Sequence, residues 1–200
     1  CGLNANIKGK GFLRALYFLP NILGTLVISY VFKQIFANIL PIWGKSLGIA
    51  ALETNILGTN NAWLGIMFVT AWQSCAFNTI IYLSGLQSIQ ASVYEAAVID
   101  GSSKMQTFWK ITFPLLAPFF TINMVLSAKG FLMMFDQVQA LTGGGPGSTT
   151  ETIALLIYKR GFSGGQFAYQ NANAAVLFLV VVAVSIFQMK ILEKREKIYA

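Results

Sequence analysis

The chain contains no histidine. That removes the commonest general base and metal ligand, and with them any Ser-His-Asp triad built within the chain. Charge is also scarce. Only 10% of its 200 residues are charged, whereas an ordinary soluble domain carries about 25%. Segments 15–32, 54–94, 111–128 and 161–189 hold no charged side chain at all. A helix of about 18 residues is roughly 27 Å long, close to the thickness of a bilayer core. Cysteine is limited to Cys1 and Cys75. No Cys/His cluster points to a metal. Cys75 sits in an apolar run, where a free thiol packs as a small hydrophobe. Cys1-Gly2 looks like the start of a mature lipoprotein, but the basic segment after it leads into an apolar run, which argues against that reading.

What is present is apolar: 56% hydrophobic residues and a mean hydropathy of +0.63. An all-α membrane protein with four spans is expected, as a single transmembrane domain over 1–200. The spans read as 13–36, 62–86, 114–139 and 172–191. Pro20 and Gly24 should kink or loosen the first. Pro114 suits the first turn of the third. The fourth is the most uniformly apolar and is expected to face lipid. The intervening segments are 37–61, 87–113 and 140–171.

The net charge of +7 does not point to nucleic acid. The bases sit at the ends of apolar runs and form no stripe. Lys8, Lys10, Arg14, Lys104, Lys110, Lys190, Lys194, Arg195 and Lys197 fall on one side of the predicted membrane. Lys33, Lys45, Lys159 and Arg160 fall on the other, and Lys129 lies inside span three. The richer side is cytoplasmic by the positive-inside rule. Both ends and the 87–113 loop are therefore expected inside, and 37–61 and 140–171 outside.

Within the inner loop, Ser92-Val93-Tyr94-Glu95 and Ser103-Lys104-Met105-Gln106 each fit a capping box, and Asp100-Gly101 between them is a turn signal. Two short helices joined by a turn are expected. Glu95 can cap its own helix, or be presented to a partner. Ala96 and Ala97 carry little bulk and permit close approach. In the outer segment, Thr142-Gly143-Gly144-Gly145-Pro146-Gly147 breaks any helix, and TETIALLIYKRGF after it reads as a short amphipathic helix. Gly161-Phe162-Ser163-Gly164-Gly165 matches G-x-S-x-G, but without histidine the pattern carries no triad. The glycine-rich run lacks the lysine and spacing of a phosphate-binding loop.

Residues 95–114 carry a longer signature: Glu95-Ala96-Ala97, three residues, Gly101, nine residues, Ile111, one residue, then Phe113-Pro114. This resembles the EAA loop of bacterial ABC importer permeases, with Phe113 where leucine is commoner. LTGGGP at 141–146, Thr150-Glu151-Thr152-Ile153, Ile157-Tyr158 and Gly161-Phe162 resemble the outer loop of carbohydrate importer permeases, within them the maltose-type first permease subunit. Arg14, Leu19-Pro20 and Trp72 fit as well, so the resemblance covers nearly the whole chain. It implies a type I importer core whose EAA loop, through Glu95, Ala96, Ala97, Asp100 and Gly101, docks onto an ATPase. It implies a non-enzymatic subunit with no cofactor of its own, ATP and Mg being bound by the partner. The implied partners are a second homologous permease, two ATPase subunits, an extracytoplasmic sugar-binding protein and membrane lipid. The implied location is the bacterial cytoplasmic membrane. Such permeases carry two or more further helices before this point, so helices preceding residue 1 are expected.

Polar groups inside a span are costly and face a cavity or another helix. Asn21 and Thr25 share one helix face, and span two offers Thr70, Gln73, Ser74 and Asn78. Sugars present hydroxyls and apolar ring faces, which amides, hydroxyls and aromatics suit. By the resemblance, Asn21, Thr25, Thr70, Gln73 and Ser74 face the sugar, and Gly130, Phe131 and Met134 join them from span three. At Phe131 and Met134 the maltose-type pattern has amides, which implies another sugar or another pose. Ordinary interhelical hydrogen bonding is the alternative for each residue. Lys129 and Asp136, seven apart, are placed on one face of span three, about 10 Å apart along its axis. A gradient-driven transporter, a structural scaffold, and a permease for glycerol phosphodiesters are the competing functions.

Overall fold

The computed structural model describes residues 18–199. Cys1, Gly2, Lys8, Lys10, Arg14 and the start of the first predicted span lie outside the described residues. Within them every regular element is helical, as an all-α membrane protein requires.

A helical segment at 18–22 stops where Gly24 takes an extended conformation (φ −58, ψ 139). Helix α1 then runs Thr25–Leu47, including a wide π-turn at Ile35–Ile39. Pro41 opens the segment after that turn. The π-turn bridges the place where the sequence pattern ended span one, so the helix continues well past residue 36. Helix α2 spans Ala62–Ser88. Helix α3, Ala91–Ile99, and helix α4, Lys104–Leu115, form the loop between α2 and helix α5, Ala117–Leu132.

Helices α4 and α5 meet at a 57° bend. Pro118 lies in the first turn of α5 and has no N–H for the carbonyl of Pro114. That carbonyl is met instead by a backbone N–H at the kink. The third predicted span is therefore not one straight helix over 114–139. It ends at Leu132, and after a break at 133–135 helix α6, Asp136–Leu141, turns to pack on α1. Apolarity alone gives no sign of this break, because the residues that form it, Met133, Met134 and Phe135, are themselves apolar. Lys129 and Asp136 accordingly sit on different helices and not on one face of a single span.

Helix α7, Ile153–Tyr158, continues as a π-turn at Lys159–Ser163. The G-x-S-x-G pattern begins in that turn and follows a helix, not the strand that a nucleophile elbow needs. Helix α8 runs Phe167–Tyr199. Among the described residues, three helices are long and apolar enough to cross a membrane, and four if the bent pair α4–α5 is one span. Only 6% of the apolar window of α8 is buried. A surface so apolar needs a bilayer or a partner to cover it.

The core gathers where α1, α2, α6 and α7 meet: Ile28, Phe36, Ile66, Val69, Val138, Leu141 and Leu155, with Leu57 from the connection. Phe32 on α1 packs edge-on against Phe68 and Trp72 of α2, at centroid distances of 5.9 and 5.2 Å.

At the other end of α2, Gly85 lets the α4–α5 bend approach closely. A Cβ there would sit 2.7 Å from the Phe119 ring and 2.9 Å from Leu116 Cδ2. Overpacking of this kind costs about 1–3 kcal/mol. Gly85→Val should lower the midpoint of thermal unfolding in detergent micelles, and adding Phe119→Ala should recover part of the loss. Equal midpoints for wild type and Gly85→Val would show that the contact is not tight.

Candidate functional site

The eight residues singled out as facing solute converge. Asn21, Thr25, Thr70, Gln73, Ser74, Gly130, Phe131 and Met134 all line one cavity of about 250 Å³. Asn21 comes from the segment before the Gly24 break, and Thr25 opens α1. Thr70, Gln73 and Ser74 come from α2. Gly130 and Phe131 come from α5, and Met134 from the break after it. Asn78, noted with them on span two, also lines the wall. Phe77, Leu126, Ser127 and Gln137 were not anticipated. Phe77 and Leu126 look like ordinary core in an apolar run. Ser127 lies on α5 three residues before Gly130, a helical spacing that could have found it. Gln137 faces the cavity only because α6 turns back after the break.

Helix interruptions hold the wall in place. The break at Gly24 leaves the Pro20 carbonyl free, and Gln73 Nε2 reaches it at 3.5 Å and the Thr25 hydroxyl oxygen at 3.2 Å. The Gln73 Oε1 atom is buried with no hydrogen-bond partner. Thr70 turns its hydroxyl back onto the Ile66 carbonyl at 2.8 Å, so its proton is already used. In the break after α5, the Met134 carbonyl accepts from Thr152 Oγ1 at 2.7 Å.

The glycine-rich segment is an organised turn. Gly143, Gly144 and Gly147 have φ of 59°, 90° and 59°, and the Gly145-Pro146 peptide is cis. Thr150 donates its hydroxyl to the Gly145 carbonyl at 2.8 Å. Lys159 Nζ donates to the Gly143 carbonyl and lies 3.7 Å from Glu151 Oε1.

The 95–114 stretch forms the expected pair of short helices. Helix α3 ends in a Schellman arrangement: the Ser102 N–H reaches the Ala97 carbonyl at 2.9 Å and the Gly101 N–H reaches the Val98 carbonyl at 3.0 Å, with Gly101 at φ 73. Helix α4 begins with the predicted capping box: Gln106 N–H to Ser103 Oγ at 3.3 Å, and Ser103 N–H to Gln106 Oε1 at 2.9 Å. The other predicted box does not form. The cap of α3 is Gln90, without a side-chain bond, and Ser92 lies inside the helix. Helix α3 starts earlier because it follows α2 almost directly. Glu95 is therefore not a cap, and among the described residues it has no hydrogen-bond or ion-pair partner.

Glu95, Ala96 and Asp100 are exposed, as are Val98 at 73% and Ile99 at 86%. Ala97 is buried against its own chain, so of the two alanines only Ala96 faces outward. Tyr94 Oη and Thr112 Oγ1, 3.2 Å apart, tie α3 to α4.

Residues 1–198 match the family of binding-protein-dependent transport system inner membrane components, and the chain belongs to it. It is 46% identical over 195 residues to the multiple sugar-binding transport system permease protein MsmF of Streptococcus mutans, covering 97% of this chain and 67% of that protein. It is 33% identical over 190 residues to the probable starch degradation products transport system permease protein AmyD of Thermoanaerobacterium thermosulfurigenes, covering 95% and 65%. The sn-glycerol-3-phosphate transport system permease protein UgpA of Agrobacterium fabrum is 32% identical over 191 residues, covering 94% and 65%. The chain thus spans about two thirds of the length of these relatives. The fold matches a chain from a bacterial ABC transporter involved in the import of the acidic polysaccharide alginate, with a TM-score of 0.80 at 19% identity over 96% of this chain and 68% of that one. This is the importer permease fold the EAA-like signature implied.

A left-handed backbone costs an ordinary residue about 1–2 kcal/mol. Gly101→Val should therefore speed amide exchange at Gly101 and Ser102 by roughly tenfold, read by hydrogen–deuterium exchange. Unchanged protection would mean that the turn does not depend on the glycine.

Proposed function

We propose that this chain is the membrane permease subunit of an ATP-driven ABC importer for a sugar, a mono- or oligosaccharide. The observation that carries the reading is the convergence of eight residues, chosen by polarity and resemblance, on one cavity between α1, α2 and α5. Family membership and the sugar permeases among the relatives support it. A binding protein delivers the sugar to the outer face, as in the solved alginate transporter complex with its oligosaccharide-bound periplasmic protein. A second permease subunit completes the pathway. Two ATPase subunits, which bind ATP and Mg, drive it from the cytoplasmic side, where both ends of this segment lie.

Coupling runs through the 95–114 stretch. Glu95, Ala96, Asp100 and Gly101 face outward together with Val98 and Ile99, a small face of one acid pair within apolar surface. Ala97 supports that face from beneath. Helix α4 continues through the 57° bend into α5, and α5 carries Gly130 and Phe131 into the cavity wall. Displacing the docked loop moves one end of a lever whose other end borders the solute. ATP binding then selects between outward-open and inward-open arrangements that the subunits already sample.

Two outcomes are expected of the full-length permease. In a pull-down with candidate ATPase subunits, Glu95→Lys with Gly101→Asp should lose the ATPase while the permease stays folded in membranes. Failure of the native loop to retain any ATPase would favour a gradient-driven transporter. In uptake assays, Asn21→Ala and Gln73→Ala should each lower transport several-fold without disturbing assembly. Unchanged kinetics in both would remove them from the pathway.

A further inference from the structure

We propose that the hydrogen bond between the hydroxyls of Tyr94 and Thr112 is the link through which a displacement of α3 reaches the bend at the foot of α5, so that both are positioning residues of the coupling path. The inference rests on the reading of the 95–114 stretch as the coupling element, and names the pair of side chains that carries its motion.

The first observation is how little else holds α3. Among the described residues, α3 runs closely alongside no other helix, and Ala97 is its only buried residue. Between α3 and α4 lies an open cleft of about 470 Å³, bordered by Leu86, Tyr94, Val98, Lys104, Phe108 and Thr112. Close packing makes an interior stiff, and across this cleft it is missing. Both ends of α3 meet non-helical backbone, at Gln90 (ψ 139) and at Gly101 (φ 73). Element ends of this kind are where hinges form. The Gly101 turn joins α3 to α4 at one end, and the Tyr94–Thr112 bond, 3.2 Å long, closes the other. Two bars on a hinge become a rigid triangle once that third side is fixed.

The second observation is the direction of the bond. Thr112 donates its single proton to the Thr107 carbonyl at 3.4 Å, across the π-turn at Phe108–Thr112. Its oxygen is then left to accept, so Tyr94 is the donor. Thr112 is only 6% exposed, and an acceptor buried there without a donor is costly.

The third observation is placement. Tyr94 directly precedes Glu95, on the face proposed to meet the ATPase. Thr112 directly precedes Phe113-Pro114, just before the 57° bend. A push on Glu95 therefore reaches the bend across one hydrogen bond, without passing through the Gly101 turn. The bend seats Leu116 and Phe119 on Gly85, and α5 leads on to Ser127 and Gly130 in the cavity wall.

The test uses the full-length permease, assembled with its ATPase subunits and binding protein in proteoliposomes and carrying Cys1→Ser, Cys75→Ser and Ser127→Cys. The readout is the rate at which a charged, membrane-impermeant maleimide modifies position 127, with and without Mg and a non-hydrolysable ATP analogue. The parent lacking Ser127→Cys is the blank, and no sugar has to be identified. With the native loop, the nucleotide should change the rate by roughly tenfold. Tyr94→Phe keeps the ring and loses only the donor; it should cut the change to about twofold or less, and Thr112→Val likewise. The two together should do no further harm, because both remove the same bond. Thr112→Ser keeps the acceptor and should respond as the native loop does. All variants should retain the ATPase subunits equally in pull-downs, which separates transmission from docking.

A full nucleotide response in Tyr94→Phe would overturn the inference and leave the importer reading standing. Loss of ATPase subunits from Tyr94→Phe would overturn it as well, since the bond would then serve the docking face alone. If the nucleotide leaves the rate unchanged even with the native loop and bound ATPase subunits, the coupling reading fails and this inference fails with it, but the family placement survives.

Discussion

An apolar medium offers no water to a broken helix, and that constraint organises this chain. Each interruption of a helix frees carbonyls that must find donors elsewhere. Here the donors come from side chains on other segments. Gln73 on α2 serves the Pro20 carbonyl exposed by the Gly24 break. Thr152, the cap of α7, serves Met134 in the break after α5. Thr150 and Lys159 serve Gly145 and Gly143 in the glycine-rich turn. These bonds satisfy the backbone, and they also pin distant parts of the chain together. The breaks at Gly24 and after α5 both lie at the cavity, so the places where helices fail are also where polar side chains gather.

The same economy shapes the 91–115 helix pair and its seat on α2. Helices α3 and α4 are closed locally, by a Schellman turn and a capping box, and joined by the Tyr94–Thr112 bond. The pair behaves as one unit because its ends are satisfied internally. The side chains of its outward face, Glu95, Val98 and Ile99, take no part in these bonds. The bend between α4 and α5 rests on the backbone of α2 at Gly85, where no side chain intervenes. A contact of ring against backbone transmits displacement with little give, since packed interiors are stiff.

Much of this was legible in residue order. Charge-free runs located α2 and α8, the Ser103 box located the start of α4, and polar residues within the apolar runs gave Asn21, Thr25, Thr70, Gln73, Ser74 and Asn78 of the cavity wall, whereas Gly130, Phe131 and Met134 came only from the family resemblance. The misses share a cause. The continuation of α1 to Leu47, the break after Leu132 and the inward turn of α6 all depend on tertiary partners: Val138 and Leu141 gain more by packing with Ile28 and Val69 than by extending α5. Gln137 was invisible for that reason. The Ser92 box failed because chain connectivity from α2 set the helix start, overriding a local signal. Ala97 turned inward because α3 is exposed on one side only, which the motif alone does not reveal.

The π-turn at Ile35–Ile39 has a consequence for the phase of α1. A wide turn holds one residue more than an ordinary one, and each residue of an α-helix advances the azimuth by about 100°. Everything from Leu40 onward is therefore rotated relative to Thr25 and Ile28 by that single extra position. Gly44 owes to this rotation its place against the backbone of Leu52 and Glu53, where a Cβ would come within 2.6–2.8 Å. Helix α1 thus has two faces in different azimuthal registers, one aimed at the cavity and one at the connection to α2. Insertions and deletions in this helix are consequently a matter of angle before they are a matter of length.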